Sequence, residues 1–132
     1  MNGAVSVQSE TSWLVVGSGR AGQVHLAALA RSPAAQACGL VSRSKDNADG
    51  SPVFRTLAEG LDKSGCDGVI IATPPHTHLA LCREAIATGV PVLCEKPVGL
   101  NALQARELAQ LGTGAGVPVG VVLNQRACAH SR

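Results

Sequence analysis

The chain predicts an α/β fold, a doubly wound and mostly parallel sheet in a single domain, on three observations. A short apolar run, Trp13 to Val16, breaks into Gly17, Gly19 and Gly22 and passes into an Ala-rich segment, which reads as strand, tight turn and helix. Strand-like and helix-like segments then alternate along the chain, the pattern of right-handed crossovers that lay helices on both faces of one sheet. The run Asp67-Gly68-Val69-Ile70-Ile71-Ala72 is apolar without alternation, as expected of a central strand covered on both faces.

After the glycine turn, Ala21, Val24, Ala28 and Leu29 recur at helical spacing, and Ser32-Pro33 ends that helix because the residue before proline disfavours helix. A second strand is predicted from Gln36 to Val41. The tract Ser42-Arg43-Ser44-Lys45 and the turn-rich Asp46 to Gly50 follow, then a short strand at Pro52-Val53-Phe54. Thr56 with Glu59 makes a capping box for a helix from Leu57 to Lys63, which closes before Gly65. A helix from Thr77 to Thr88 carries Leu79, Cys82, Ala85 and Ile86 at core spacing, with Gly89 as its C-terminal cap. Val90 to Cys94 is the next strand. Asn101 with Gln104 repeats the capping pattern, Leu103, Leu108 and Leu111 populate the inner face of the helix that follows, and Val117 to Leu123 is the last strand.

At 132 residues the chain can bury about two-thirds of its unfolded surface and fold as one unit. With 45% apolar and 15% charged residues and a net charge of +2, it carries neither the signature of disorder nor a basic nucleic-acid footprint. Trp13 and Phe54 are its only aromatics, too few for stacking single-stranded bases. Five widely spaced cysteines, Cys38, Cys66, Cys82, Cys94 and Cys128, fit reduced thiols in a cytoplasmic protein. There is no apolar stretch of membrane-spanning length, and residues 1–11 lack the basic start and apolar centre of a signal peptide, so they read as a flexible tail.

Ligands of an open parallel sheet bind beyond the carboxyl ends of its strands, and the chemically interesting residues cluster there. In the first turn Gly17 permits the bend, Gly19 lets a pyrophosphate approach the backbone and Gly22 lets helix and strand pack closely. The helix N-terminus offers unpaired N–H groups and the positive end of its dipole to a diphosphate. An acidic residue near position 42 would hold the 2′-hydroxyl of NAD. Ser42, Arg43, Ser44 and Lys45 stand there instead, and hydroxyls with cations suit a 2′-phosphate, so NADP is favoured over NAD. No spacing of His, Cys and carboxylates suggests a metal site.

Three stretches taken together resemble the Gfo/Idh/MocA family of oxidoreductases: Gly17-Ser18-Gly19-Arg20-Ala21-Gly22-Gln23-Val24-His25, then Ala72-Thr73-Pro74-Pro75 followed by His78, then Cys94-Glu95-Lys96-Pro97. The resemblance covers about Ser12 to Arg126 and implies a Rossmann domain that binds NAD(P) for oxidation or reduction, often of sugars, cyclitols or their derivatives. It places Lys96 beside the nicotinamide and the substrate as the catalytic residue, Glu95 near the nicotinamide ribose, and Thr73, Pro74 and His78 along the dinucleotide groove. The cofactor-binding candidates are then Gly17, Ser18, Gly19, Arg20, Ala21, Gly22, Ser42, Arg43, Ser44, Ala72, Thr73, Pro74, Pro75, His78, Glu95, Lys96 and Asn124. A cation at hydrogen-bond distance from a reacting carbinol stabilises developing alkoxide and, in the reverse direction, polarises the carbonyl. His78 reads equally as a residue that caps or packs its helix, the prolines as turn formers, and His25 as packing beside the glycine turn.

The family continues into a second α/β domain with an Asp-x-x-x-His pattern, which this sequence lacks. The expected organisation is a tail at 1–11, the dinucleotide-binding domain at 12–126 and a truncated tail at 127–132. Two readings follow: an oxidoreductase domain acting on a small-molecule substrate, completed by a partner chain or assembled as a homo-oligomer, or a non-catalytic NADP(H)-binding or interaction module. Neither nucleic acid nor membrane is an expected partner.

Overall fold

The computed structural model describes residues 10–46, 48 and 50–122. Six parallel strands, β1 (Thr11–Val16), β2 (Ala35–Val41), β3 (Val53–Phe54), β4 (Gly68–Ile71), β5 (Val92–Cys94) and β6 (Val119–Val121), form one sheet in the order β3-β2-β1-β4-β5-β6. Four helices connect them: α1 (Arg20–Arg31), α2 (Leu57–Lys63), α3 (His78–Ala87), entered through a 3₁₀ turn at Pro75–Thr77, and α4 (Ala102–Ala115). This is the doubly wound arrangement of a Rossmann fold. Among the described residues no helix is long and apolar enough to cross a membrane.

The unbroken apolar runs follow from burial on two sides. Successive side chains of a strand point to opposite faces. Val15, Leu40 and Ile70 turn toward Leu26 and Leu29 of α1, while Leu14, Val16, Val41, Val69 and Ile71 join Leu57, Cys82, Ala85, Ile86 and Leu108 beneath α2, α3 and α4. Each such large side chain contributes about 1.5–3 kcal/mol on leaving water.

Three helix-face assignments are corrected. Ala28 of α1 is exposed. Val24 is 59% exposed, because the buried stripe of α1 runs through Gly22, Leu26 and Leu29 and a residue two positions from Gly22 is turned about 200° away. Leu103 is 67% exposed, lying about 140° around α4 from the buried Leu108. Strand limits shift as well. β1 already begins at Thr11, within the segment read as tail, because the Thr11 amide bonds to the Ala34 carbonyl (3.1 Å). β5 and β6 start two residues later than expected; Pro91 and Pro118, which cannot donate to a ladder, stand directly before them. Helix α3 proper begins at His78, not Thr77.

Both capping boxes form, with the same variation. Thr56 Oγ1 accepts the Glu59 amide (3.1 Å), and Glu59 reaches past the cap to the Arg55 amide (2.9 Å). Asn101 Oδ1 accepts the Gln104 amide (2.9 Å), and Gln104 reaches back to the Leu100 amide (2.8 Å). The bond from the Arg55 amide holds the Glu59 carboxyl below the usual carboxylate range. Thr56→Ala is expected to lower unfolding free energy by about 1 kcal/mol, read as an earlier urea midpoint with an unchanged slope.

Candidate functional site

The direction of winding reverses between β1 and β4, so the loops after these two strands diverge and leave a crevice at their carboxyl ends. The glycine turn fills its floor. Gly17 has φ +111°, and a Cβ there would lie 2.7 Å from the Ala72 carbonyl oxygen, so the turn rests directly on the end of β4. A Cβ on Gly22 would lie 1.8 Å from the Gly17 carbonyl oxygen, which fixes the contact of α1 with the turn. Gly19 differs from both. Its φ of −74° is ordinary, and a Cβ there would meet nothing within 4 Å. It is the N-cap of α1, no side chain caps the helix, and the first turn holds no acid. The amides of the first helical residues, Arg20, Ala21 and Gly22, therefore stand at the positive end of the dipole with no capping side chain, beside open space at Gly19. That opening fits the pyrophosphate of a dinucleotide, in agreement with the chemistry of helix N-termini.

On the β2 side the tract after Val41 is tightly organised. Ser42 Oγ accepts the amides of Ser44 (3.2 Å) and Lys45 (3.0 Å), which uses both its lone pairs. Its own proton therefore goes to Ser18 Oγ at 2.8 Å, and the Ser18 hydroxyl keeps its proton to donate outward. Ser42 is buried, so it shapes the loop from within while Arg43, Ser44 and Lys45 are exposed above it. Arg55, at the end of β3, donates to the Ser42 (3.0 Å) and Lys45 (2.6 Å) carbonyls and pairs with Asp46 (2.7 Å). Asp46, the first acid after Val41, is thereby drawn to Arg55. A cleft of about 910 Å³ opens here, with Gly17, Ser18, Ser42, Arg43, Ser44, Arg55, Thr73 and Pro74 among its lining residues; Glu84 of α3 is its one carboxylate among the described residues.

On the other side of the crevice two histidines hold the turn after β5. His78 is completely buried; its Nδ1 is 2.8 Å from the Pro97 carbonyl oxygen and its Nε2 2.6 Å from that of Thr73. This corrects the expectation of a groove contact. His78 braces the β4 and β5 loops from inside because its ring starts α3 between them. His25, expected only to pack beside the glycine turn, points its Nε2 at the Glu95 carboxylate, 2.6 Å away. Behind Glu95, the Cys94 thiol is buried against Cys82, and this neighbour together with burial pushes it up, so it stays a neutral thiol. Lys96 stands exposed between the two held residues and has no ion pair among the described residues.

The structure thus gathers Gly17, Ser18, Gly19, Arg20, Ala21, Gly22, Ser42, Arg43, Ser44, Thr73 and Pro74 around the crevice and its β2 side, with Glu95 and Lys96 at the end of β5. Ala72 is buried beneath the turn and Pro75 opens the 3₁₀ turn. Asn124 lies outside the described residues, as does residue 123 of the last predicted strand. Arg55 was not singled out from the sequence; a cation directly after a strand and before a helix cap was the available signal. From β2 to β5 is three strand spacings, about 14 Å, with the open helix N-terminus between.

Comparison with known proteins agrees with this geometry. The model of an oxidoreductase family with an NAD-binding Rossmann fold, GFO_IDH_MocA, matches residues 11–123. The chain is 36% identical over 102 residues to the rhizopine catabolism protein MocA of Rhizobium meliloti, covering 74% of this chain and 32% of that protein. It is 33% identical over 104 residues to an inositol 2-dehydrogenase of Arthrobacter sp., covering 73% and 31% respectively. The crystal structure of GenD2 from gentamicin A biosynthesis in complex with NAD superposes with a TM-score of 0.80 at 31% identity, covering 88% of this chain and 35% of that one. The chain spans about a third of the length of these relatives.

Proposed function

The chain belongs to the oxidoreductase family with an NAD-binding Rossmann fold, and from that premise we propose that it is the cofactor-binding part of a dehydrogenase acting on a sugar, cyclitol or related polyol. The observation that carries this reading is the uncapped N-terminus of α1 behind Gly19, an opening that the protein's own packing does not require. In this reading the pyrophosphate lies at that terminus, with Ser18 donating to it. The adenosine half extends into the cleft beside Ser42, Arg43 and Ser44, and the nicotinamide half runs past Thr73 and Pro74 toward Glu95 and Lys96. When bound, the nicotinamide supplies the hydride acceptor or donor. Lys96 does the protein's part of the chemistry: its ammonium holds the reacting hydroxyl, stabilises charge as it develops on that oxygen, and in reverse polarises the carbonyl. The remaining substrate contacts come from outside this chain, in a further domain or a partner chain. MocA by its name serves rhizopine catabolism and the Arthrobacter relative is an inositol 2-dehydrogenase, which supports a polyol-like substrate. The four described cysteines are free thiols, which supports a reducing, cytoplasmic setting.

We further infer a preference for NADP over NAD. Ser42 replaces the carboxylate that would hold a 2′-hydroxyl and repel a 2′-phosphate, Asp46 is engaged by Arg55, and Arg43 with Ser44 faces the cleft. Titration of the chain with NADPH and with NADH, followed by nicotinamide fluorescence, tests both steps. NADPH is expected to bind about tenfold tighter, and Arg43→Ala to remove most of the difference, the loss of one charge-assisted phosphate contact. Equal affinities would overturn the preference; binding of neither by the folded chain would overturn the function.

A further inference from the structure

His25 and Glu95 are seventy positions apart in sequence, yet their side chains meet at 2.6 Å. Both are largely withdrawn from water, with side-chain exposures of 14% and 25%. His25 lies in the second turn of α1, and Glu95 follows β5, two strands away from β1 across β4. The contact therefore spans the crevice end of β4 and joins the element that carries the open helix N-terminus to the turn that carries Lys96. The Glu95 amide is already bound to the Ile71 carbonyl (3.0 Å), and the Pro97 carbonyl to His78 (2.8 Å). Without His25 the Glu95 carboxylate, partly withdrawn from water, has no hydrogen-bond partner among the described residues, and the favourable response is to swing toward water and take the turn with it.

We propose that His25 is a positioning residue, holding the Glu95-Lys96 turn in the place that the nicotinamide half of the cofactor requires. The inference rests on the proposed function for its ligand and on the His25 to Glu95 contact for its geometry. Its role is to act through Glu95, so its loss should be felt by the nicotinamide half and not by the adenosine diphosphate half.

The test compares the chain with H25L and H25Q variants, titrated with NADPH and with 2′-phospho-ADP-ribose, which lacks the nicotinamide. In H25L, NADPH affinity is expected to fall about tenfold while 2′-phospho-ADP-ribose changes less than about twofold, and H25Q, whose amide N–H stands in for Nε2, is expected to recover most of the loss. Equal losses for both ligands would overturn positioning in favour of a general role in seating α1, and no loss for either would overturn it outright. Amide hydrogen exchange without nucleotide separates the two readings. Exchange at Lys96, Val98 and Gly99 is expected to quicken at least about fivefold in H25L and to return in H25Q. Unchanged exchange overturns the positioning role whether or not the wild-type chain binds NADPH; quickened exchange in a chain that binds no nucleotide keeps the contact's role and overturns the proposed function alone.

Discussion

Gly19→Asp is expected to leave the fold as stable as before and to abolish dinucleotide binding, whereas Gly22→Ala is expected to do most of its damage to the fold. Both glycines belong to one turn, and inspection of the motif does not distinguish them. Their surroundings do. A side chain at Gly19 enters open space, and aspartate is a preferred N-cap whose carboxylate sits well at the positive end of a helix, worth about 0.5–1 kcal/mol. The same carboxylate would occupy the place of the pyrophosphate and repel it, so NADH and NADPH affinity should fall about 100-fold or more. At Gly22 the added methyl would lie 1.8 Å from the Gly17 carbonyl oxygen, and backbone must move on one side or the other. Overpacking of this kind costs about 3 kcal/mol, which for a chain of this size lowers the melting temperature by roughly 10 °C. Thermal melts of both variants with a nucleotide titration of Gly19→Asp check the pair. Retained binding in Gly19→Asp would remove the helix N-terminus from the site.

What could be foreseen from the residues was whatever depends on neighbours along the chain. The turn at Gly17, the caps at Thr56 and Asn101 and the twofold-buried strand Gly68–Ile71 are local patterns, and their physics is complete within a few residues. What could not be foreseen depends on contacts between distant elements. Val24 and Leu103 have the composition of core residues, but the rotation of α1 and α4 about their axes is set by the sheet they pack on. His78 follows a strand like a ligand-facing residue, and only the approach of the Pro97 carbonyl from the β5 turn converts it into an internal brace. Arg55 and Ser42 show the same effect at the other end of the crevice. Ser42 reads as an exposed hydroxyl facing a ligand, yet its oxygen is consumed by the Ser44 and Lys45 amides, and the outward-facing hydroxyl is that of Ser18, one strand away.

Lys96→Ala is expected to cut turnover by about 10²–10⁴-fold and to leave nucleotide affinity within about twofold. The measurement uses the enzyme together with its substrate-contacting part, since the relatives are about three times as long as this chain. The separation of the two effects follows from position. Lys96 is exposed and makes no ion pair among the described residues, so its removal costs the fold less than about 0.5 kcal/mol. The turn that carries it is held independently, by His25 on Glu95 and by His78 on the Pro97 carbonyl, and both survive the substitution. A cation needed chiefly to bind the cofactor would be placed with Arg43 beside the phosphate-bearing half. In the proposed binding mode, a cation at the end of β5, three strand spacings from β2, lies on the side of the reacting end. Charge that appears on the substrate oxygen only as hydride moves is stabilised only in the transition state, and an interaction of that kind appears in kcat rather than in ground-state binding. Lys96→Arg should retain part of the rate by keeping the charge, with the remainder lost to the altered reach of a planar guanidinium. A large loss of nucleotide affinity in Lys96→Ala, with turnover at saturation preserved, would transfer Lys96 from the chemistry to the holding of the cofactor.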